Sequence, residues 1–232
     1  MPDQNRSNGE ASPPFSPRIA SNFVNGSSLT KTANVEDVWI TSELHRRATR
    51  EVNLSADIAS LKDIAAMAET TPTEILARLM QQALVLCPAD TAGLSALHED
   101  DGKQFFHWDA MAGVLANKVG GTTPRKFSPC GHTMDCGKSQ LVLKPGRYYN
   151  YFLEVDPQII EALVVPVMVD RECTATIWIA AHDPQTHFTL TDVRIMESLA
   201  SFTGAAISLM NQSLKNQSLK NQVRQRSRRA NS

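Results

Sequence analysis

No stretch of the sequence approaches the ~18 consecutive apolar residues that a membrane-spanning helix needs. The opening residues 1–6 (MPDQNR) are polar, with no apolar core of signal-peptide length behind them, so the expected location is the cytoplasm. Charge of one sign is not in excess either. The formal net charge is -1, so no overall field draws the chain to nucleic acid or to an anionic membrane, and nucleic acid is not an expected partner. Cysteine is scarce: Cys87, Cys130, Cys136 and Cys173 form no CxxC pair and, in a chain that is not secreted, read as reduced thiols. Cys130 and Cys136 stand six apart around His132, outside the spacings of structural zinc sites, and no metal site is read from them. What the sequence does hold is apolar side chains, 42% against 20% charged, enough to build a packed core. At 232 residues with polar ends, one domain of ordinary size is expected.

Residues 1–36 carry Pro13, Pro14, Pro17 and many Ser, Asn and Gly, too little apolar surface to offset the entropy of ordering, and read as a disordered tail. Residues 37–51 form a weakly helical peripheral segment that Trp39, Ile40 and Leu44 can dock. Ser55 caps an expected helix running to about Glu69. Thr71, Pro72 and Glu74 then make a capping box with proline at the first helical position, followed by Ile75, Leu76, Leu79, Met80, Ala83 and Leu84 on one face.

Residues 91–98 and 104–111 read as a hairpin joined by a longer, glycine-containing loop, EDDGK. Residues 163–169 and 173–182 read as a second hairpin across 170–172. Its strands are apolar at nearly every position and belong in the middle of a sheet, while Pro166 implies a bulge or a free edge. Residues 112–162, between the hairpins, are rich in glycine, proline and aromatics with little periodicity. An insertion of that length is where a binding site is expected. Thr189 and Asp192 open the last helix with a second capping box, with Phe188 stapling onto Val193. Its apolar face runs through Met196, Leu199, Phe202, Ala206 and Leu209 or Met210. The five-residue repeat NQSLK keeps no single stripe, so the regular helix is expected to end near residue 214, with residues 213–232 a basic disordered tail. From Ser198 onward there is no acidic residue, and Lys215, Lys220, Arg224, Arg226, Arg228 and Arg229 give that tail its charge; with no aromatic interleaved, a solvated tail is the expectation.

The order helix, hairpin, long crossover, hairpin, helix resembles a GAF domain over residues 52–212. The strings CPADTAGLSAL at 87–97, GGTTPRKFSPCGHTMD at 120–135, EALVVPV at 161–167 and ATIWIAAHD at 175–183 resemble the GAF domains found ahead of bacterial sensor histidine kinases. The resemblance implies an α+β, GAF-like (PAS-like) fold: a central antiparallel sheet of five to six strands flanked by helices, with a long C-terminal helix. It also implies a pocket roofed by the crossover, and a homodimer formed through the N- and C-terminal helices. The sequence leaves no room for a kinase after residue 214, so output is expected to pass to a separate histidine kinase or other signalling protein.

Aromatic walls with a few polar groups are what a small-molecule pocket requires. The candidate ligand-binding residues are therefore Phe106, Trp108, Arg125, Phe127, Cys130, His132, Tyr148, Tyr149, Tyr151, Phe152, Trp178 and His182. Free methionine sulfoxide reductases also resemble GAF domains, and Cys130-Gly131 matches one of their cysteine strings. Residues 148–163, where the family's essential cysteine would lie, contain none. Cyclic-nucleotide GAF domains carry an Asn-Lys pair where this chain has Ala181-His182, with Asn117-Lys118 far upstream, and bilin-binding ones place their cysteine in a different string from Ser128-Pro-Cys-Gly. The expectation is a non-catalytic sensory domain with an unnamed small ligand. The alternatives are an interaction module without ligand, and a reductase-like enzyme.

Overall fold

The computed structural model describes residues 33–51 and 71–230. The expected helix over 55–69, and the expected tail up to residue 32, lie outside the described residues. Residues 33–36 do not belong to an irregular tail: Val35–Asp37 form a 3-10 turn capped by Asn34, and Val38 is buried.

The elements are α1 (Pro72–Leu86), β1 (Thr91–Asp100), β2 (Lys103–Gly113), β3 (Thr122–Pro124), α2 (Pro129–Cys136), β4 (Gln140–Leu143), β5 (Glu161–Val169), β6 (Glu172–Ala181) and α3 (Leu190–Ala230). The strands form one six-stranded sheet in the order β3-β2-β1-β6-β5-β4, antiparallel at every step. Sheet and helices follow the expected α+β plan.

Alternation along the central strands divides the interior in two. Ala92 and Leu94 of β1, Leu163, Val165 and Val167 of β5, and Ala175, Ile177, Ile179 and Ala181 of β6 face α1 and α3. Their neighbours Ala162, Val164, Trp178 and Ala180 face the crossover. Both faces are covered, which is why these strands read as unbroken apolar runs. Pro166 sits opposite Thr176, beyond the point where β4 stops pairing with β5, and the ladder is irregular at Val167/Met168, so both expectations for that proline hold.

Both hairpin turns are tighter than the sequence suggested. Asp100 pairs with Lys103 around Asp101-Gly102 at φ 47° and 72°, a two-residue turn that matches strand twist. Val169 pairs with Glu172 around Asp170-Arg171 in the same way. The crossover also holds more regular structure than its composition indicated. α2 begins at Ser128, whose Oγ accepts from the Gly131 amide, takes Pro129 as its first residue and ends on Gly137 at φ 62°.

α1 carries the expected capping box, with the Glu74 carboxylate accepting from the Thr71 amide at 2.9 Å. In α3 the Asp192 carboxylate accepts from the Thr189 amide and hydroxyl, both at 2.8 Å. The buried face of α3 runs through Val193, Met196, Leu199, Ala200, Thr203 and Ala206. Phe202 and Leu209 lie off it, exposed. The helix does not end near residue 214. It continues to Ala230, because residues 211–230 contain neither Gly nor Pro and are dominated by good helix formers. Loss of the apolar stripe removed a packing face without removing backbone propensity.

Residues 37–51 are held in three ways. Trp39 bridges to Val142 and Ile40 donates to Leu141, so the segment covers the free edge of β4. The Arg47 guanidinium donates to both carboxylate oxygens of the fully buried Glu161, at 2.7 and 2.8 Å, and to the Phe188 carbonyl. Arg50 pairs with the buried Asp192 at 2.9 Å and donates to the Leu86 carbonyl. Removing one partner of such a pair strands a charge inside the protein. Arg47→Ala should therefore destabilise the fold by about 3 kcal/mol in urea denaturation, and an effect below about 1 kcal/mol, the ceiling for surface pairs, would mean the pair is solvent-screened.

Candidate functional site

The crossover folds over one face of the sheet and leaves beneath it a partly open cavity of about 300 Å³, at the small end of ligand pockets. Its floor is Trp108 of β2, Ala162 and Val164 of β5 and Trp178 of β6; its roof is Pro129 and Cys130 of α2 with Tyr151, Phe152 and Val155. Trp178 lies flat against β1 because its cross-strand partner is Gly93. A Cβ there would fall 2.3 Å from the indole ring. The indole N–H donates to Ser95 Oγ at 2.9 Å, so the ring is fixed with its polar atom satisfied. Trp108 crosses it at 6.2 Å and 63°.

The lining is chiefly apolar with polar groups at defined points. Thr123 Oγ1 and Tyr151 Oη are buried without a protein hydrogen-bond partner, and both residues line the cavity. Burial pushes the Tyr151 phenol well above its usual range, so it is a neutral hydroxyl available to donate. Lys118 and Glu154, both exposed, stand at the rim.

Of the twelve candidates, Trp108, Cys130, Tyr151, Phe152 and Trp178 line this cavity and seven do not. Phe106 is wholly buried beside it, with the Arg125 guanidinium 6.0 Å from its ring centroid. Arg125 faces α2 instead, donating to the Gly131 carbonyl and to Asp135, whose carboxyl it holds below the usual range. Phe127, Tyr148 and Tyr149 pack on one another as the outer layer of the roof. His132 stacks on Trp39 at 4.1 Å, outside the cavity, and burial lowers its pKa. His182 is a strap. Its Nδ1 meets the Gln158 carbonyl and must donate, leaving Nε2 to accept from the Thr91 hydroxyl, each at 2.9 Å. These seven have the residue types of a pocket wall, but their side chains point away from this cavity.

Most lining residues outside that candidate set are small or aliphatic, among them Leu115, Thr122, Thr123, Val142, Ile159, Ala162 and Val164, and the charged ones are Lys118 and Glu154 at the rim. For the strand residues a signal existed, since Ala162 and Val164 share the parity that sends Trp178 to the cavity once the β5–β6 register is known.

Cys130 is buried, and its pKa is raised by that burial against the weaker opposing pull of the Thr176 and Ser95 hydroxyls. A thiol in that state is a poor nucleophile. The following Gly131 has a packing role, because a Cβ would fall 1.9 Å from the Arg125 carbonyl oxygen. Cys136 is exposed, with Sγ 3.4 Å from His132 Nε2. Alkylation of the folded protein at pH 8 should label Cys136 first. Cys136→Ser should remove the fast phase while Cys130→Ser leaves it intact, as read by peptide mass spectrometry; fast labelling of Cys130 would mean an open roof.

The sequence model of the GAF domain family matches residues 71–207. Solved structures give the same fold. The GAF domain of a phosphoenolpyruvate-protein phosphotransferase from Coxiella burnetii superposes with a TM-score of 0.58 at 16% identity, covering 69% of this chain and 98% of that one. A free methionine-R-sulfoxide reductase from Neisseria meningitidis, in complex with its substrate, gives 0.54 at 14% identity over 72% and 97%. The phycocyanobilin-bound GAF domain of a cyanobacterial phytochrome gives 0.56 at 11% identity over 72% and 98%. No curated protein matches the sequence.

Proposed function

The chain belongs to the GAF domain family, and from that premise we propose that it is a non-catalytic sensory domain whose cavity takes a small, mainly apolar ligand. The observation that carries this is the pairing of a partly open apolar hollow with two lining residues, Thr123 and Tyr151, whose buried hydroxyls have no partner in the protein. Apolar contact supplies affinity in such a site, and two fixed hydroxyls supply orientation. The reductase reading is less well supported: the one cysteine on the cavity wall is Cys130, whose thiol is held protonated by burial. As a protein of bacterial signalling, the domain would hand its state to a separate histidine kinase or other partner.

A thermal-shift panel of small aromatic and aliphatic metabolites, with indole as the reference compound, tests the proposal. A binder at one hundred times its Kd should add about 2.7 kcal/mol of stability, growing with the logarithm of concentration. Ala162→Phe, which fills the floor, should abolish that shift without unfolding the protein. Shifts that persist in Ala162→Phe would place the ligand elsewhere, and turnover of free methionine-R-sulfoxide that Cys130→Ser abolishes would replace the sensory reading with an enzymatic one.

We also infer that α3 mediates a homodimer. The helix is 41 residues long, about 60 Å, and Phe202 and Leu209 remain 40% and 66% exposed on the domain's own fold. Long single helices are stable in water only when an apolar face is covered. In sedimentation at micromolar concentration the wild type should run as a dimer and Phe202→Glu/Leu209→Glu as a monomer; a monomeric wild type would remove this inference.

A further inference from the structure

A second set of reactive side chains lies on the opposite face of the sheet from the cavity. The even-numbered residues of β1 pack toward the helices as far as Ala96, and His98 continues that face past the core, with 47% of its side chain exposed. In the β1–β2 ladder Ala96 stands opposite His107 and His98 opposite Phe105, so His98 and His107 are diagonal cross-strand neighbours. The ladder is irregular between Leu94 and Ser95, whose partners are Ala110 and Trp108. Asp109 is the extra residue of that bulge. Its carboxylate meets both histidines: His107 Nδ1 hydrogen-bonds Asp109 Oδ1, and His98 Nε2 lies 3.7 Å from the same oxygen. The imidazoles cross edge to face at 5.4 Å, and Phe105 stacks on His98.

We propose that His98, His107 and Asp109 form a binding site for a divalent first-row transition metal ion such as Zn²⁺. One donor atom from each residue lies within 4.8 Å of the other two. Ligands held ~2.1 Å from a tetrahedral zinc ion stand roughly 3.4 Å apart, so small side-chain rotations suffice: the exposed His98 swings in, and His107 and Asp109, now in hydrogen-bond contact, part to admit the ion. Two imidazoles and one carboxylate favour zinc, cobalt, nickel or copper over magnesium or calcium, which prefer oxygen donors alone. Three protein ligands at a solvent-facing site leave a coordination position for water or an outside group, unlike a sealed structural zinc site. The ion takes the place of the hydrogen bond between His107 Nδ1 and Asp109 Oδ1, and the displaced imidazole N–H moves to Nε2. The site does not depend on the cavity proposal. Trp108 sits between two of the ligands in sequence yet faces the cavity, so β2 is a wall common to both.

The test is calorimetric titration of the untagged full chain with Zn²⁺, with Co²⁺ as a spectroscopic substitute. We expect one equivalent bound with a Kd of about micromolar or tighter and visible Co²⁺ bands. His98→Ala, His107→Ala and Asp109→Ala should each weaken binding at least about tenfold, while His45→Ala and Cys136→Ser leave it unchanged. Melting curves without metal check that each variant folds; should His107→Ala not fold, His98→Gln on the exposed side carries the test. Binding that survives in His98→Ala, that Cys136→Ser abolishes, or that is no tighter than millimolar overturns the proposal and leaves the cluster a histidine–carboxylate hydrogen bond.

Discussion

Glu161 is fully buried at the first position of β5, and its carboxylate accepts two hydrogen bonds from Arg47 and one from the Phe188 amide at 2.8 Å. A lone carboxylate at that depth would cost several kcal/mol. The partners that offset this cost come from both ends of the domain: Arg47 from the segment ahead of α1, and Phe188 from the loop that leads into α3. His187 Nδ1 lies 3.4 Å from the same carboxylate. Arg50 and Asp192 repeat the arrangement one turn away, with Thr191 donating to the Arg50 carbonyl and Arg50 to the end of α1. The N-terminal segment, α1, β5 and α3 thus meet around two ion pairs whose carboxylates are fully buried, and the entry angle of the long helix is set there.

That anchoring leaves the other face of the sheet free to be specialised. The helix side is closed by Leu, Ile, Val and Met packed in one cluster, whereas the crossover side is closed by rings stacked above a gap. Two features keep the gap open. Gly93 lets Trp178 lie down onto β1 instead of standing in the hollow, and Ser95 holds its indole nitrogen. The roof is braced in a similar way, since Trp39, His132, Tyr149 and Phe127 pack ring against ring on its outer side. Side chains at the density of a protein interior have few places to move; a cavity bounded by fixed rings on both sides is a property of the fold, and not slack in the packing.

Elements with a strong local signature were legible in the sequence: the capping boxes at Thr71 and Thr189, the two hairpins, and the unbroken apolar strands. α2 was written in the same code, with Ser128, Pro129 and Gly137 at cap, first turn and stop, but its eight residues are too few to show a period. The candidate site was legible only in part. Large aromatics at the site include Trp108, Tyr151, Phe152 and Trp178, whereas Tyr148, Tyr149 and His132 share their ring character but pack away from the cavity. Their direction is set by contacts with Trp39 and Phe127, which are distant in sequence. The Glu161 clamp was invisible for the same reason, as Arg47 and Glu161 are 114 residues apart. No local pattern distinguishes a half-buried Arg47 from its exposed neighbour Arg46.

On the sensory proposal, β5 is the element through which cavity and helix must communicate. Ala162 and Val164 form part of the cavity floor; Leu163, Val165 and Val167 point the other way into the cluster that seats α3; and Glu161 at its head grips the start of that helix through Phe188. A displacement of this strand cannot be absorbed on one face alone, because successive side chains belong to opposite layers. Such a connection transmits nothing by itself. A ligand shifts the helix only to the extent that it binds two arrangements of the strand with unequal affinity, and an occupant that fits both equally would stabilise the fold and send no signal. Thr123 and Tyr151 are the groups able to make that difference. They lie on the wall and roof while Ala162 and Val164 lie on the floor, so a ligand that contacts both sets of residues gauges the distance between crossover and β5.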